Sequence, residues 1–101
     1  MNKENLITLM NIYRREENEK KDINKNYYMI DLSDEIMNNG KIEDYSSGTL
    51  KEILKALDSI KEKYANGVLY DIWKETHYYI LDLYLLYYKE ERNLIKWNQT
   101  K

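Results

Sequence analysis

Leu6, Leu9, Met10 and Tyr13 stand at i, i+3, i+4 and i+7, with Ile7 at the edge of the set and Asn11 and Arg15 opposite. At about 100° per residue that spacing puts the four on one face of a helix, predicted over about Lys3 to Glu19. A run of mixed sign, Arg14 to Asp22, follows. Alternating charge reads as a solvated helix end and connector, not as a basic arm.

The pattern blurs in the next segment. Tyr27, Tyr28, Met29, Ile30 and Leu32 form a continuous apolar patch that suits a buried strand or a helix. With no mate for a lone strand, a helix over about Asn26 to Asn39 is expected, capped at Asp31 or Ser33 if it is short and stopped by Asn38-Asn39-Gly40. On a helical wheel Ile23, Tyr27, Ile30 and Met37 cluster, while Tyr28, Met29, Leu32 and Ile36 scatter around them.

Periodicity returns after Lys41 to Gly48, which reads as a loop with Ser46, Ser47 and Gly48 as turn formers. Thr49 and Glu52 fit a capping box, in which each side chain satisfies the other's free amide. Leu50, Ile53, Leu54, Leu57, Ile60 and Tyr64 then make a stripe, opposed by Lys51, Lys55, Asp58, Ser59 and Glu62. Asn66-Gly67 ends that helix, because both residues tolerate a left-handed backbone.

The last segment, about 68–97, is the most hydrophobic. Leu69, Trp73, Thr76, Ile80, Leu83, Tyr87, Glu90, Leu94 and Trp97 alternate steps of four and three, as a helix seam does. So tight a break at Asn66-Gly67 folds this helix back on helix 50–65 as an antiparallel hairpin. The fold class expected is all-α, a small bundle of three to four helices with one long C-terminal helix, forming a single domain over residues 1–101.

Composition narrows the chemistry. The 101 residues carry 16 basic and 18 acidic side chains and a net charge of −2, without the positive excess that phosphate binding uses. There is no cysteine, which excludes disulfides, thiolate metal sites and cysteine nucleophiles. The opening residues do not read as a signal peptide, and no window reaches the roughly 18 to 20 apolar residues of a membrane span. A cytoplasmic protein is expected.

Asn, Lys, Ile and Tyr are abundant, which suggests an AT-rich genome such as a low-GC bacterium, its phage or a plasmid. Codon bias leaves eleven tyrosines beside no phenylalanine unexplained. A phenol wants water or a hydrogen-bond partner, so tyrosine suits half-buried faces and interfaces; a small domain with few dry positions would show the same preference.

His77 is the only histidine. Lys74 precedes it by three and Leu81 follows by four, so the helical spacing of a metal site fails and a hydrogen-bonded histidine at the edge of the core is expected. The serines lie in no nucleophile elbow, and Gly40, Gly48 and Gly67 are isolated, so no phosphate-cradling loop is present. No catalytic, cofactor-binding or metal-binding residue is expected, and the chain reads as a non-enzyme.

The strongest cue is geometric. With Ile80 facing the core, Asp71, Glu75, Asp82, Lys89, Asn93 and Lys96 define the wet side of the long helix, yet Tyr78 and Leu85 share that side. Leu81 and Tyr88 lie on its shoulder. A surface helix needs an apolar arc only somewhat wider than about 100°. Either other helices of the chain cover the excess, or Tyr78, Leu81, Leu85 and Tyr88 form a partner-binding patch.

The function expected is a protein–protein interaction module, whose partner is a host protein or a second copy as a homodimer. A phage or mobile-element inhibitor that occludes a host enzyme or defence complex, in the manner of an anti-CRISPR protein, fits these traits. Two alternatives stand beside it. A bacteriocin-immunity-like bundle would use Trp97 at a membrane face, although the tail is not strongly basic. A dimeric DNA-binding regulator would need a helix-turn-helix from the helices ending at Asn39 and starting at Leu50, but that connection is long and the second helix's outer face is nearly neutral.

Overall fold

The computed structural model describes residues 2–64 and 67–99, without the side chains of Asn39, Tyr64 and 95–99. Asn66 and the side chains of Tyr64, Lys96 and Trp97 lie outside the described residues. Four helices follow one another: α1 (Lys3–Asn18), α2 (Tyr27–Asn39), α3 (Ser47–Ile60) and α4 (Val68–Gln99). Short 3-10 turns at Asp22–Asn24, Ile42–Asp44 and Lys61–Tyr64 lie in the connections. The all-α bundle expected from the periodicity is the fold, and no helix among the described residues is long and apolar enough to cross a membrane.

α1 and α2 form one antiparallel pair and α3 and α4 another, with α1 laid against both α3 and α4. The core is built where the stripes meet: Leu6, Leu9 and Met10 of α1, Leu50, Ile53 and Leu57 of α3, and Ile80 of α4 are fully enclosed. These are the faces that periodicity marks in α1 and α3.

The face of α2 differs from the expected one. Met29, Leu32, Ser33 and Ile36 point inward, whereas Ile23 is 91% exposed and Tyr27 is 56% exposed. Ile30 and Met37 are half-buried. The polar Ser33 hides this stripe in the sequence. Inside, its hydroxyl donates to the carbonyl of Met29 one turn back at 2.7 Å, so burial leaves no unmet group. Nor does Ser33 or Asp31 cap the helix, because Asn26 does, its side chain accepting from the Met29 N–H at 3.1 Å.

α2 stops at Gly40, but the backbone there is extended (φ −71°), not left-handed. Glycine is required for space: a Cβ would lie 2.6 Å from Ile36 Cα and 2.9 Å from the Tyr45 hydroxyl. The left-handed break falls instead at Gly67, with φ +94°.

α3 starts before the expected position. Ser46 is the N-cap, accepting from the Thr49 N–H at 3.2 Å, so Thr49 is inside the helix and the Thr49–Glu52 capping box does not form. Glu52 pairs with Lys55 at 3.5 Å instead. Ser47, read as a turn former, is buried in the first turn of α3. Its partner is Glu91, far along the chain, which no local pattern announces.

α4 has 32 residues and α3 has 14. At about 1.5 Å per residue that is ~48 Å against ~21 Å, and α4 sets the 49 Å long axis of the molecule. The expected seam is therefore core only in its middle. Trp73, Thr76 and Ile80 are buried and Leu83 and Tyr87 half-buried, but Leu69, Glu90 and Leu94 are exposed. The shorter α3 runs out before the seam does.

Candidate functional site

Three hydrogen bonds fix how α4 is rotated. Near its start the indole N–H of Trp73 donates to the Leu57 carbonyl at 2.8 Å, anchoring it on the end of α3. Further on, the Tyr87 hydroxyl donates to the Glu43 carbonyl at 2.6 Å, and the Tyr79 hydroxyl to the Glu43 carboxylate at 3.2 Å. Both phenols thereby fasten the 42–44 turn to the helix. Phenylalanine could supply neither contact, which accounts for two of the eleven tyrosines. Burial, and then the Glu43 charge, push the Tyr79 phenol up.

Held this way, α4 turns Tyr78, Leu81, Leu85 and Tyr88 outward along one line. Tyr78 is 56%, Leu85 52% and Tyr88 42% exposed, and Leu81 is half-buried against the core cluster. Steps of three, four and three give a straight stripe on the helix. The other helices of the described chain cover Leu81 in part and leave Tyr78, Leu85 and Tyr88 about half exposed. Leu86, 51% exposed, lies on the opposite shoulder about 80° round from Tyr78; its surroundings in sequence, between two apolar seams, gave no sign of this.

A groove of about 310 Å³ opens beside the stripe, walled by Tyr70, Trp73, His77, Tyr78 and Leu81 together with Lys61 and Lys74. Its rings are stacked: Tyr70 on Trp73 at 6.1 Å between centroids, and Trp73 on His77 at 4.8 Å. The Lys61 ammonium lies 5.3 Å from the Trp73 ring centroid, a cation–π distance. His77 Nε2 sits 3.3 Å from an Asp58 carboxylate oxygen on α3. The histidine is thus half-buried at the core edge with a neighbour, as its surroundings in sequence suggest. At the far end of the stripe Tyr88 stacks on Tyr84 at 5.8 Å, and Arg92 donates to the Tyr88 hydroxyl at 3.0 Å.

Two carboxylates escaped the sequence reading. Glu17 is only 2% exposed. It accepts from the Asn26 N–H at 2.6 Å and from Lys20 Nζ at 2.8 Å, tying the end of α1 to the start of α2. Burial pushes its carboxyl up, but the hydrogen bonds from Lys20 and Asn26 outweigh this and hold it below the ordinary carboxylate value. A signal existed: Glu17 is four residues beyond Tyr13 and continues the buried face of α1. Glu91 accepts from the Ser47 N–H at 3.1 Å and from the Ser47 hydroxyl, so α4 supplies a cap for α3. Those two bonds lower its carboxyl.

A second cleft, about 360 Å³, lies between α2 and the start of α3, lined by Tyr28, Asp31, Leu32, Glu35, Tyr45 and Thr49. The Tyr45 phenol in its wall is pushed up by burial and by Glu35. Among the described residues no group of three or more histidine or carboxylate ligands is placed to hold a metal ion.

Comparison with protein-family models, with curated proteins and with solved structures gives no match to this chain.

Proposed function

We propose that this protein is a non-enzymatic protein–protein interaction module whose partner docks along the outward stripe of α4. One observation carries the reading: Tyr78, Leu85 and Tyr88 stay about half exposed on a helix whose opposite side is core. Single exposed apolar residues need no explanation, but an aligned group beside an aromatic groove is the composition of interface cores. The mode we propose is occlusion, in which the bundle covers a surface of a host enzyme or defence complex, as an inhibitor carried by a phage or mobile element would.

Leu85→Asp is the informative change, because it places a charge in the centre of the stripe and leaves the core untouched. Tagged wild-type chain is expected to retain a protein from a low-GC bacterial lysate and to inhibit that protein once purified. The variant, with unchanged helicity, is expected to lose both. Equal retention and inhibition by wild type and variant would remove the stripe from any role.

A further inference from the structure

The geometry of the stripe points to a second copy of this chain as its occupant: we infer that two α4 helices pair antiparallel across a two-fold axis between Leu81 and Leu85. This rests on the interaction-module reading and names the partner. In a two-fold pair, residues equally spaced about the axis face each other. Leu81 then meets Leu85 of the second copy, and Tyr78 meets Tyr88. Each contact occurs twice, and the opposed helix dipoles favour this direction over a parallel one.

Charge supports the same alignment. Asp82 and Lys89 flank the stripe on one side, both exposed, and among the described residues neither has an ion-pair partner. Antiparallel pairing brings each flank against the same flank of the other copy. Asp82, one residue from the axis, lies beside Asp82 of the second copy. The longer Lys89 of the second copy, ~7.5 Å further along the flank, reaches back to that carboxylate in two symmetric contacts. A parallel pair would set that flank against the one bearing His77 and Tyr84, leaving Lys89 opposite a tyrosine. Two like-charge contacts oppose the alignment: the Asp82 carboxylates of the two copies beside the axis, which the Lys89 pair offsets, and Lys74 near Arg92 of the second copy at each rim.

Shape supplies the third support. The groove beside Tyr78 and Leu81, about 310 Å³, lies where the Tyr88 ring of the second copy arrives. An aromatic ring seated among aromatic side chains and lysine stems is a common anchor of an interface. Two half-exposed tyrosines and their leucines offer on the order of 400 Å² of apolar surface per copy. With the flanking charges and the groove wall, the pair approaches the low end of stable interfaces, about 600 Å² per partner. A reversible dimer follows, and a foreign protein using the stripe would compete with the second copy for it.

Sedimentation equilibrium of the full chain from about 1 μM to about 0.5 mM tests this, with dissociation constants expected within that window. Leu85→Asp should weaken association at least ~30-fold while circular dichroism stays unchanged. Asp82→Lys alone and Lys89→Glu alone should each weaken it about 3- to 10-fold, and the two together should restore it. Lys74→Glu should tighten it by meeting Arg92.

A chain monomeric up to about 0.5 mM, a dimer indifferent to Leu85→Asp, or a double exchange that fails to restore association would each overturn the proposal. The exchanged residues are exposed, so folding is not at stake in that arm. A monomeric wild type that still loses a captured protein on Leu85→Asp would remove the second copy and keep the interaction module. Indifference of both association and capture to that variant would remove both.

Discussion

Glu17 and Glu91 are both carboxylates that reach from one helix to the start of another, and they differ in how much water they see. Glu17 is sealed between α1 and α2, accepting from the Asn26 N–H beside Lys20. Glu91 does the same for Ser47 at the start of α3 from the open side of α4. Their carboxyls shift the same way, both downward. The shared direction reflects shared hydrogen bonding, whereas the consequence of losing each is set by the solvent. The difference lies in the acceptors: the Glu91 carboxylate stands in water, and that of Glu17 is shut from it.

The largest expected effect that tests this contrast is Glu17→Ala. Removing a buried acceptor takes away its charge-assisted bonds from both the Asn26 N–H and Lys20 and should cost about 2–3 kcal/mol. For a domain of this size that is a fall in Tm of roughly 10–20 °C, read by thermal circular dichroism. A fall no greater than that of an exposed substitution would break the comparison. The same group sets an acid limb: with its folded value below the unfolded 4.5, Glu17 contributes stability that is present above pH ~4.5 and lost as pH falls through the folded value. Urea midpoints measured from pH 7 to pH 2 should decline less steeply for Glu17→Gln than for wild type.

Tyr13, one turn before Glu17 on the same buried face, sharpens the comparison from the alkaline side. Burial, then the Glu17 charge, push its phenol up to about 12. Its contribution is therefore complete below pH ~10 and lost as pH rises toward 12. Ultraviolet titration should show tyrosinate forming late, and Glu17→Gln should bring part of that absorbance to lower pH. A tyrosine titration unchanged by Glu17→Gln would separate the two groups.

The smallest effect belongs to Glu91→Ala. It should lower Tm by clearly less than Glu17→Ala, and the difference from wild type should shrink in high salt, because an exposed carboxylate is screened. Equal losses for the two substitutions would show that solvent exposure does not govern these caps.

Much of this architecture was legible because it is local. The stripes of α1 and α3 and the left-handed turn at Gly67 follow from spacing and backbone preference within one or two turns. The outward position of Tyr78 and Leu85 was legible too, since fixing Ile80 inward fixes them outward. What escaped was partly local and partly distant. Ser33 turned inward because the Met29 carbonyl one turn back takes its hydroxyl, and α3 begins at Ser47 under its Ser46 cap, where Glu91 arrives from α4 as a second acceptor. The seam of α4 was overextended for a related reason: a heptad spacing says which way side chains point and nothing about whether a neighbour is long enough to meet them.

The tethers of the 42–47 stretch to α4 have a kinetic side. Tyr87 with Glu43 and Glu91 with Ser47 each join residues 44 apart, whereas the rest of the α3–α4 hairpin can close through nearer contacts. Loop closure over that distance comes late and is entropically dear, so these bonds form after the hairpin has docked. They are also rim contacts with solvent beside them, and so the first to open in the native state. Amide exchange at the start of α3 should therefore report the loosening of a helix whose own middle, around Ile80, stays protected until the whole bundle unfolds.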